Sequence, residues 1–189
     1  KIRSPEGGDN LFISSIIALR PDNGEYVWHY QTTPGDTWDF TAAQHMILAD
    51  ITIDGEARKV LMQAPKNGFV YVLDRVDGSL ISAEPYVQVN WASHVDAESG
   101  RPVETSNARY EEGPFLIMPS PFGGHNWHPM AFDPKRGLVY MPTQNIPFAH
   151  VDDPDFEFLD TQWNTGTNFS VNATPSDPAA LEQRPVLPV

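Results

Sequence analysis

Ala18-Leu19-Arg20-Pro21-Asp22-Asn23-Gly24-Glu25-Tyr26-Val27-Trp28 is the stretch on which the fold turns. An apolar run enters a polar turn that ends in Gly24, and a second run rich in aromatic residues leaves it. The same turn recurs as Asp74-Arg75-Val76-Asp77-Gly78, Asp96-Ala97-Glu98-Ser99-Gly100 and Asp133-Pro134-Lys135-Arg136-Gly137. Strand-like runs, Val70-Tyr71-Val72-Leu73 and Met130-Ala131-Phe132, precede two of the later copies. The chain therefore repeats a hairpin whose glycine supplies the positive φ of a tight turn.

Working outward, short apolar or alternating runs occupy residues 12–19, 26–30, 46–51, 60–63, 69–73, 115–118 and 138–141. They are rich in Val, Ile, Tyr and Phe and separated by Gly, Pro, Asp and Asn, which predicts an all-β chain of antiparallel strands. On these signals alone a sandwich or a barrel stays open. Repeated hairpins favour the blades of a propeller, each a small sheet that buries its faces against its neighbours. From Phe148 the character changes: residues 150–160 are acidic and 161–176 polar. This predicts blades over 1–147 and an irregular or partial-blade segment over 148–189.

Twelve basic against twenty-five acidic residues give a formal charge of −13. An acidic surface repels phosphate backbones and anionic lipid, which argues against nucleic-acid and membrane-surface partners. No run approaches the length of a membrane span. With no cysteine in the chain, disulfides, thiolate metal sites and cysteine nucleophiles are excluded within these residues. His125 and His128 form a His-x-x-His, but without cysteines or a carboxylate motif it is a poor zinc signature.

Three polar loops carry the chemistry: Gly35-Asp36-Thr37-Trp38-Asp39, Pro65-Lys66-Asn67-Gly68-Phe69-Val70-Tyr71-Val72-Leu73-Asp74-Arg75, and Gly124-His125-Asn126-Trp127-His128-Pro129. In this order and spacing, over residues 1–144, they resemble the quinoprotein alcohol dehydrogenases. Those enzymes carry pyrroloquinoline quinone (PQQ) and calcium on the axis of an eight-bladed β-propeller. The resemblance implies that this chain is several blades of such a propeller, since the family's chains are several times longer. The 18–28 stretch resembles the family's tryptophan-docking repeat, which implies that the Trp28 indole packs between adjacent blades.

The resemblance also implies site roles. Asp39 matches the catalytic aspartate, the general base that takes the alcohol proton as hydride leaves for the quinone, and a metal ligand. Lys66 matches the basic residue that hydrogen-bonds the quinone oxygens, and Lys rather than Arg here is similar to the broader-range alcohol dehydrogenases. Asn126 matches the asparagine that contacts PQQ, with Trp127 beside it. Read without the family, Asp39 is a turn cap, Lys66 a solvated turn lysine and Trp127 a packing aromatic. No Gly-x-Gly-x-x-Gly follows a strand, so a nicotinamide site has no support.

An aspartate is a weak base near neutral pH, so the implied calcium serves as Lewis acid. Its other ligands are expected upstream of Lys1. Lanthanide-dependent relatives carry a second aspartate two positions after the catalytic one; here Thr41 stands there, which implies the calcium form. The implied activity is oxidation of primary or related small alcohols to aldehydes. Electrons are expected to leave to a cytochrome c or a fused haem domain, with any haem c outside this segment because no Cys-x-x-Cys-His occurs. The resemblance implies a periplasmic protein. A polyol or sugar quinoprotein and a non-catalytic propeller scaffold are the alternatives, and the segment alone is expected to be inactive.

Overall fold

The computed structural model describes residues 7–172. The end of the segment expected at 148–189 lies outside them, including the last residues of the polar stretch at 161–176. Twelve strands follow in chain order: β1 (Ser15–Leu19), β2 (Tyr26–Gln31), β3 (Met46–Ile53), β4 (Glu56–Gln63), β5 (Phe69–Asp74), β6 (Leu80–Pro85), β7 (Ala92–Val95), β8 (Pro102–Glu104), β9 (Phe115–Ile117), β10 (Ala131–Asp133), β11 (Leu138–Tyr140) and β12 (Phe148–His150). One 3-10 turn covers Phe169–Asn172. Among the described residues no helix is long and apolar enough to cross a membrane.

The strands form one antiparallel four-stranded sheet, β3-β4-β5-β6, flanked by the two-stranded sheets β1-β2, β7-β8, β9-β12 and β10-β11. Both faces of the central sheet are covered, which explains the continuous burial of Val60, Leu61, Met62 and Gln63 along β4. Successive side chains point to opposite faces. Leu61, Phe69, Tyr71 and Leu73 pack with Ile16, Trp28, Tyr30, Trp38 and Trp91 on one face. Ile47, Ala49, Val60 and Met62 pack with Met130, Phe132 and Val139 on the other. A sheet sandwiched between neighbouring sheets is the packing of a propeller blade.

All four predicted turns close in the same way. Gly24, Gly78, Gly100 and Gly137 each donate a backbone N–H to the carbonyl four residues earlier, at 2.8 Å, and each has a positive φ, between 66° and 79°. Trp28 docks on the next hairpin: a Cβ at Gly78 would lie 2.6 Å from its ring. Tyr30 does the same at Gly100, where its hydroxyl donates to the Gly100 carbonyl at 2.6 Å. The Asp96 hairpin has a preceding strand as well, β7, which its Ala-Ser-His-Val sequence concealed. Phe148–His150, where the irregular segment was expected to begin, pairs back onto β9.

Candidate active site

The loop between β2 and β3 places Asp39. Asp36 is buried there, accepting the Trp38 amide at 2.9 Å and the Ser14 hydroxyl at 3.2 Å. Burial pushes its carboxyl above the usual carboxylate range, while the amides of Trp38 and Phe40 and the Ser14 hydroxyl pull the other way. Trp38 and Phe40 are completely buried, their rings 4.7 and 5.4 Å from that of Trp91. With both neighbours drawn inward, Asp39 between them is turned out. Its backbone sits in the left-handed region, φ 64°, and its side chain is 65% exposed.

The β4–β5 loop brings Lys66 to meet it. Lys66 Nζ donates to Asp39 Oδ2 and to the Asp39 carbonyl, both at 3.1 Å, although the two residues are 27 positions apart. Its side chain is only 11% exposed because the stem lies on Gly123, where a Cβ would come within 2.6 Å of Lys66 Cγ. Asn67, completely buried, fixes the turn: its Nδ2 donates to the Thr32 carbonyl at 3.1 Å and the Tyr71 hydroxyl at 2.8 Å. Trp91 Nε1 donates to the Asn67 carbonyl at 2.8 Å. Tyr86 donates its hydroxyl to the Pro65 carbonyl at 2.6 Å, and burial pushes that hydroxyl's pKa up.

The third loop packs against the second. Gly124 N donates to the Lys66 carbonyl at 3.1 Å. His125 is buried with Nδ1 2.7 Å from the Ala64 carbonyl and Nε2 2.8 Å from that of His128. Both ring nitrogens are thus engaged by backbone, so this imidazole is a staple between loops. Asn126 keeps its bonds local, donating to the Phe122 carbonyl and accepting the Trp127 amide, each at 2.9 Å. Trp127 is 75% exposed and stacks on His128 with centroids 4.4 Å apart. The structure therefore joins Asp39 directly to Lys66 and seats the Asn126 loop on the lysine, with the Asn126 and Trp127 side chains engaged only within their own loop. A cavity of about 80 Å³ beside Asn126 is lined by Gly124, His125, His128 and Gln144.

These residues fit the two implied groups to different degrees. An ammonium with a third N–H unused by Asp39, an amide and an exposed indole face suit an anionic aromatic quinone. For calcium, which takes six to eight oxygens, they offer one carboxylate. Among the described residues no three His, Cys, Asp or Glu side chains cluster as a metal site. Asp36, Asn67, Tyr86 and Arg109 were missed from sequence. Tyr86 and Arg109 act on carbonyl groups distant in the chain; only the Asx-type bonds of Asp36 to the Trp38 amide and of Asn67 to the Phe69 amide were open to local inference.

Comparison with known proteins gives a consistent picture. The family model for the glucose/ethanol/alcohol dehydrogenase β-propeller domain, a PQQ family, matches residues 3–102. The chain is 55% identical over 170 residues to quinohemoprotein alcohol dehydrogenase ADH IIB of Pseudomonas putida, covering 90% of this chain and 25% of that protein. It is 47% identical to the 1-butanol dehydrogenase (cytochrome c) of Thauera butanivorans, covering 94% of this chain and 26% of that protein. The crystal structure of the Comamonas testosteroni quinohemoprotein alcohol dehydrogenase superposes with a TM-score of 0.83 at 52% identity, covering 88% of this chain and 26% of that one. A europium-containing methanol dehydrogenase superposes with a TM-score of 0.73 at 41% identity, covering 78% of this chain and 26% of that one. The chain thus spans about a quarter of the length of these relatives.

Proposed function

The chain belongs to the glucose/ethanol/alcohol dehydrogenase β-propeller family, and from that premise we propose that it forms part of the catalytic propeller of a PQQ-dependent dehydrogenase oxidising primary or related small alcohols to aldehydes. The observation that carries this reading is the Asp39–Lys66 pair at 3.1 Å, presented on a left-handed backbone between two buried aromatic residues. A scaffold has no need of such a pair.

PQQ, when bound, supplies the acceptor for the hydride that leaves the alcohol carbon. The chain's residues do the rest. Asp39 accepts the hydroxyl proton at a carboxylate oxygen. Lys66 engages Oδ2, so the carboxylate is oriented with its second oxygen toward incoming substrate. The remaining ammonium N–H stabilises negative charge on the acceptor's oxygen, as preorganised transition-state electrostatics. Asn126 offers a donor and an acceptor to the cofactor edge, and the exposed Trp127 ring offers an apolar face. Calcium would take Asp39 as one of its ligands and supply Lewis acidity; Thr41 at the position after Phe40 favours calcium over a lanthanide.

In this reading electrons pass to a cytochrome c or a fused haem domain, and the protein works in the periplasm. The names of the P. putida and T. butanivorans relatives support the haem acceptor. The test is alcohol-dependent dye reduction by the full-length protein, with PQQ and calcium supplied or withheld singly. Activity that requires both is expected. A folded protein that binds PQQ yet reduces dye equally without calcium would overturn the calcium assignment, and one that reduces nothing would overturn the dehydrogenase.

A further inference from the structure

Three consecutive residues of the β8–β9 connection grip the loop that carries Asp39. Ala108 accepts the Trp38 indole N–H at 2.7 Å. Arg109 donates from Nη1 to the Gly35 carbonyl at 2.8 Å and from Nη2 to the Pro34 carbonyl at 3.3 Å, and its guanidinium carbon lies 4.9 Å from the centre of the Trp38 ring. The Tyr110 hydroxyl meets the Thr37 hydroxyl at 3.1 Å and donates to the Thr37 carbonyl at 3.2 Å. Residues 34, 35, 37 and 38 are therefore each held from this one segment.

Arg109 is the centre of the grip, and Glu104 fixes it. The carboxylate accepts Nε at 2.8 Å and Nη2 at 2.6 Å, a fork-to-fork pair. A planar guanidinium can serve the carboxylate, two carbonyls and an aromatic face together; an ammonium cannot. The strained residue that follows the gripped ones is Asp39, and a left-handed non-glycine backbone persists only where its surroundings over-determine it. Asp36 braces this loop from within it, whereas Arg109 acts from a separate connection between two sheets.

We propose that Arg109, locked by Glu104, is a positioning residue that holds the Asp39 carboxylate in register with Lys66. The inference rests on the reading of Asp39 as general base. It makes the rate of proton removal depend on a residue that touches neither alcohol nor cofactor.

The test uses the full-length enzyme loaded with PQQ and calcium. Arg109→Met keeps an apolar stem over Trp38 and removes the fork. It is expected to lower kcat by about 10²-fold, the scale of a misplacement of about 1 Å, with KM for alcohol and PQQ content close to wild type. Arg109→Lys should recover part of the loss. A crystal structure of Arg109→Met should show Asp39 Oδ2 beyond hydrogen-bond reach of Lys66 Nζ. In an Asp39→Asn background the same substitution should cost nothing further, because residues acting as a unit are not additive. Wild-type kcat, an undisturbed Asp39–Lys66 contact, or an equal loss in the Asp39→Asn background would each overturn the proposal.

Should Arg109→Met fail to fold, Glu104→Gln loosens the fork without emptying its place. A several-fold fall in kcat at unchanged PQQ content is expected there, and an unchanged kcat overturns the proposal. Turnover retained by Asp39→Asn alone would defeat the base assignment. The crystallographic contact would still decide whether Arg109 holds the loop.

Discussion

The loop carrying Asp39 and the loop carrying Asn126 and Trp127 both press on Lys66, and they are held in opposite ways. In the first, the flanking Trp38 and Phe40 are wholly buried, and bonds arrive from residues as far away as Arg109 and Tyr110. In the second, His125 is the buried anchor, and Asn126 and Trp127 beyond it bond and stack only locally. On the proposed roles, the difference separates two tasks. Proton removal needs a carboxylate whose position is fixed before substrate arrives, whereas a residue lying against a bound cofactor can be ordered by the cofactor itself.

The largest expected effect breaks the comparison at its fixed end. Asp39→Asn in the full-length enzyme should lower single-turnover dye reduction by about 10²- to 10⁴-fold, the range of general acid–base catalysis, while PQQ content survives. Retained turnover would reduce the first loop to architecture. Next in size is a stability effect outside both loops. Trp28→Ala removes the ring seated on Gly78 and should cost about 3–5 kcal/mol in denaturant unfolding of the full-length protein. A loss under about 1 kcal/mol would mean that the docked indole does not join the hairpins.

Lys66 touches both loops, so its removal tests whether they form one site. Lys66→Ala should lower kcat by about 10²- to 10³-fold, comparable with loss of one oxyanion donor. The melting temperature should move little, because Asn67 and Tyr86 continue to hold the turn. Equal losses of rate and stability would make the lysine a strut.

Acid should discriminate between the loops. His150 is buried against Tyr110, centroids 4.9 Å apart, and Tyr110 bonds Thr37 of the Asp39 loop. Burial lowers the His150 pKa from 6.5 to about 4, so folding favours its neutral form. The unfolded chain takes up its proton near pH 6.5; the stabilisation is complete above that pH and is lost as pH falls towards 4. The loss amounts to about 3 kcal/mol. Hydrogen exchange should therefore quicken in the Asp39 loop across this window sooner than around Asn126, and His150→Phe should flatten the response. An identical pH response in the variant would acquit His150.

Much of this organisation was legible in the sequence where the signal was local. The four turns with Gly four residues on, and strands over runs such as 69–73, follow from short-range geometry. So did the existence of three chemistry-bearing loops. The supports were not legible, because Arg109 and Asn67 act on carbonyl groups 74 and 35 positions away, and a backbone acceptor leaves no mark on the residue type that owns it. Strand β7 was hidden for a related reason: Ser93 and His94 point outward and only Ala92 and Val95 are buried, too few apolar positions to make a pattern.

The smallest expected effect sharpens the comparison at its open end. Trp127 is mostly exposed and stacks on His128, so Trp127→Ala should change the stability of the cofactor-free protein by no more than about 0.5 kcal/mol. If the ring meets the bound quinone, its removal should weaken PQQ affinity by about tenfold or less, since an aromatic contact contributes about 0.5–1.5 kcal/mol beyond its area. Titration of the cofactor-free full-length protein with PQQ, followed by absorbance, separates the cases. Weaker binding at unchanged stability makes Trp127 a cofactor contact ordered on loading. Lower stability at unchanged affinity makes it a packing residue covered by another blade, and the second loop would then be architecture, in contrast to the catalytic role proposed for the first.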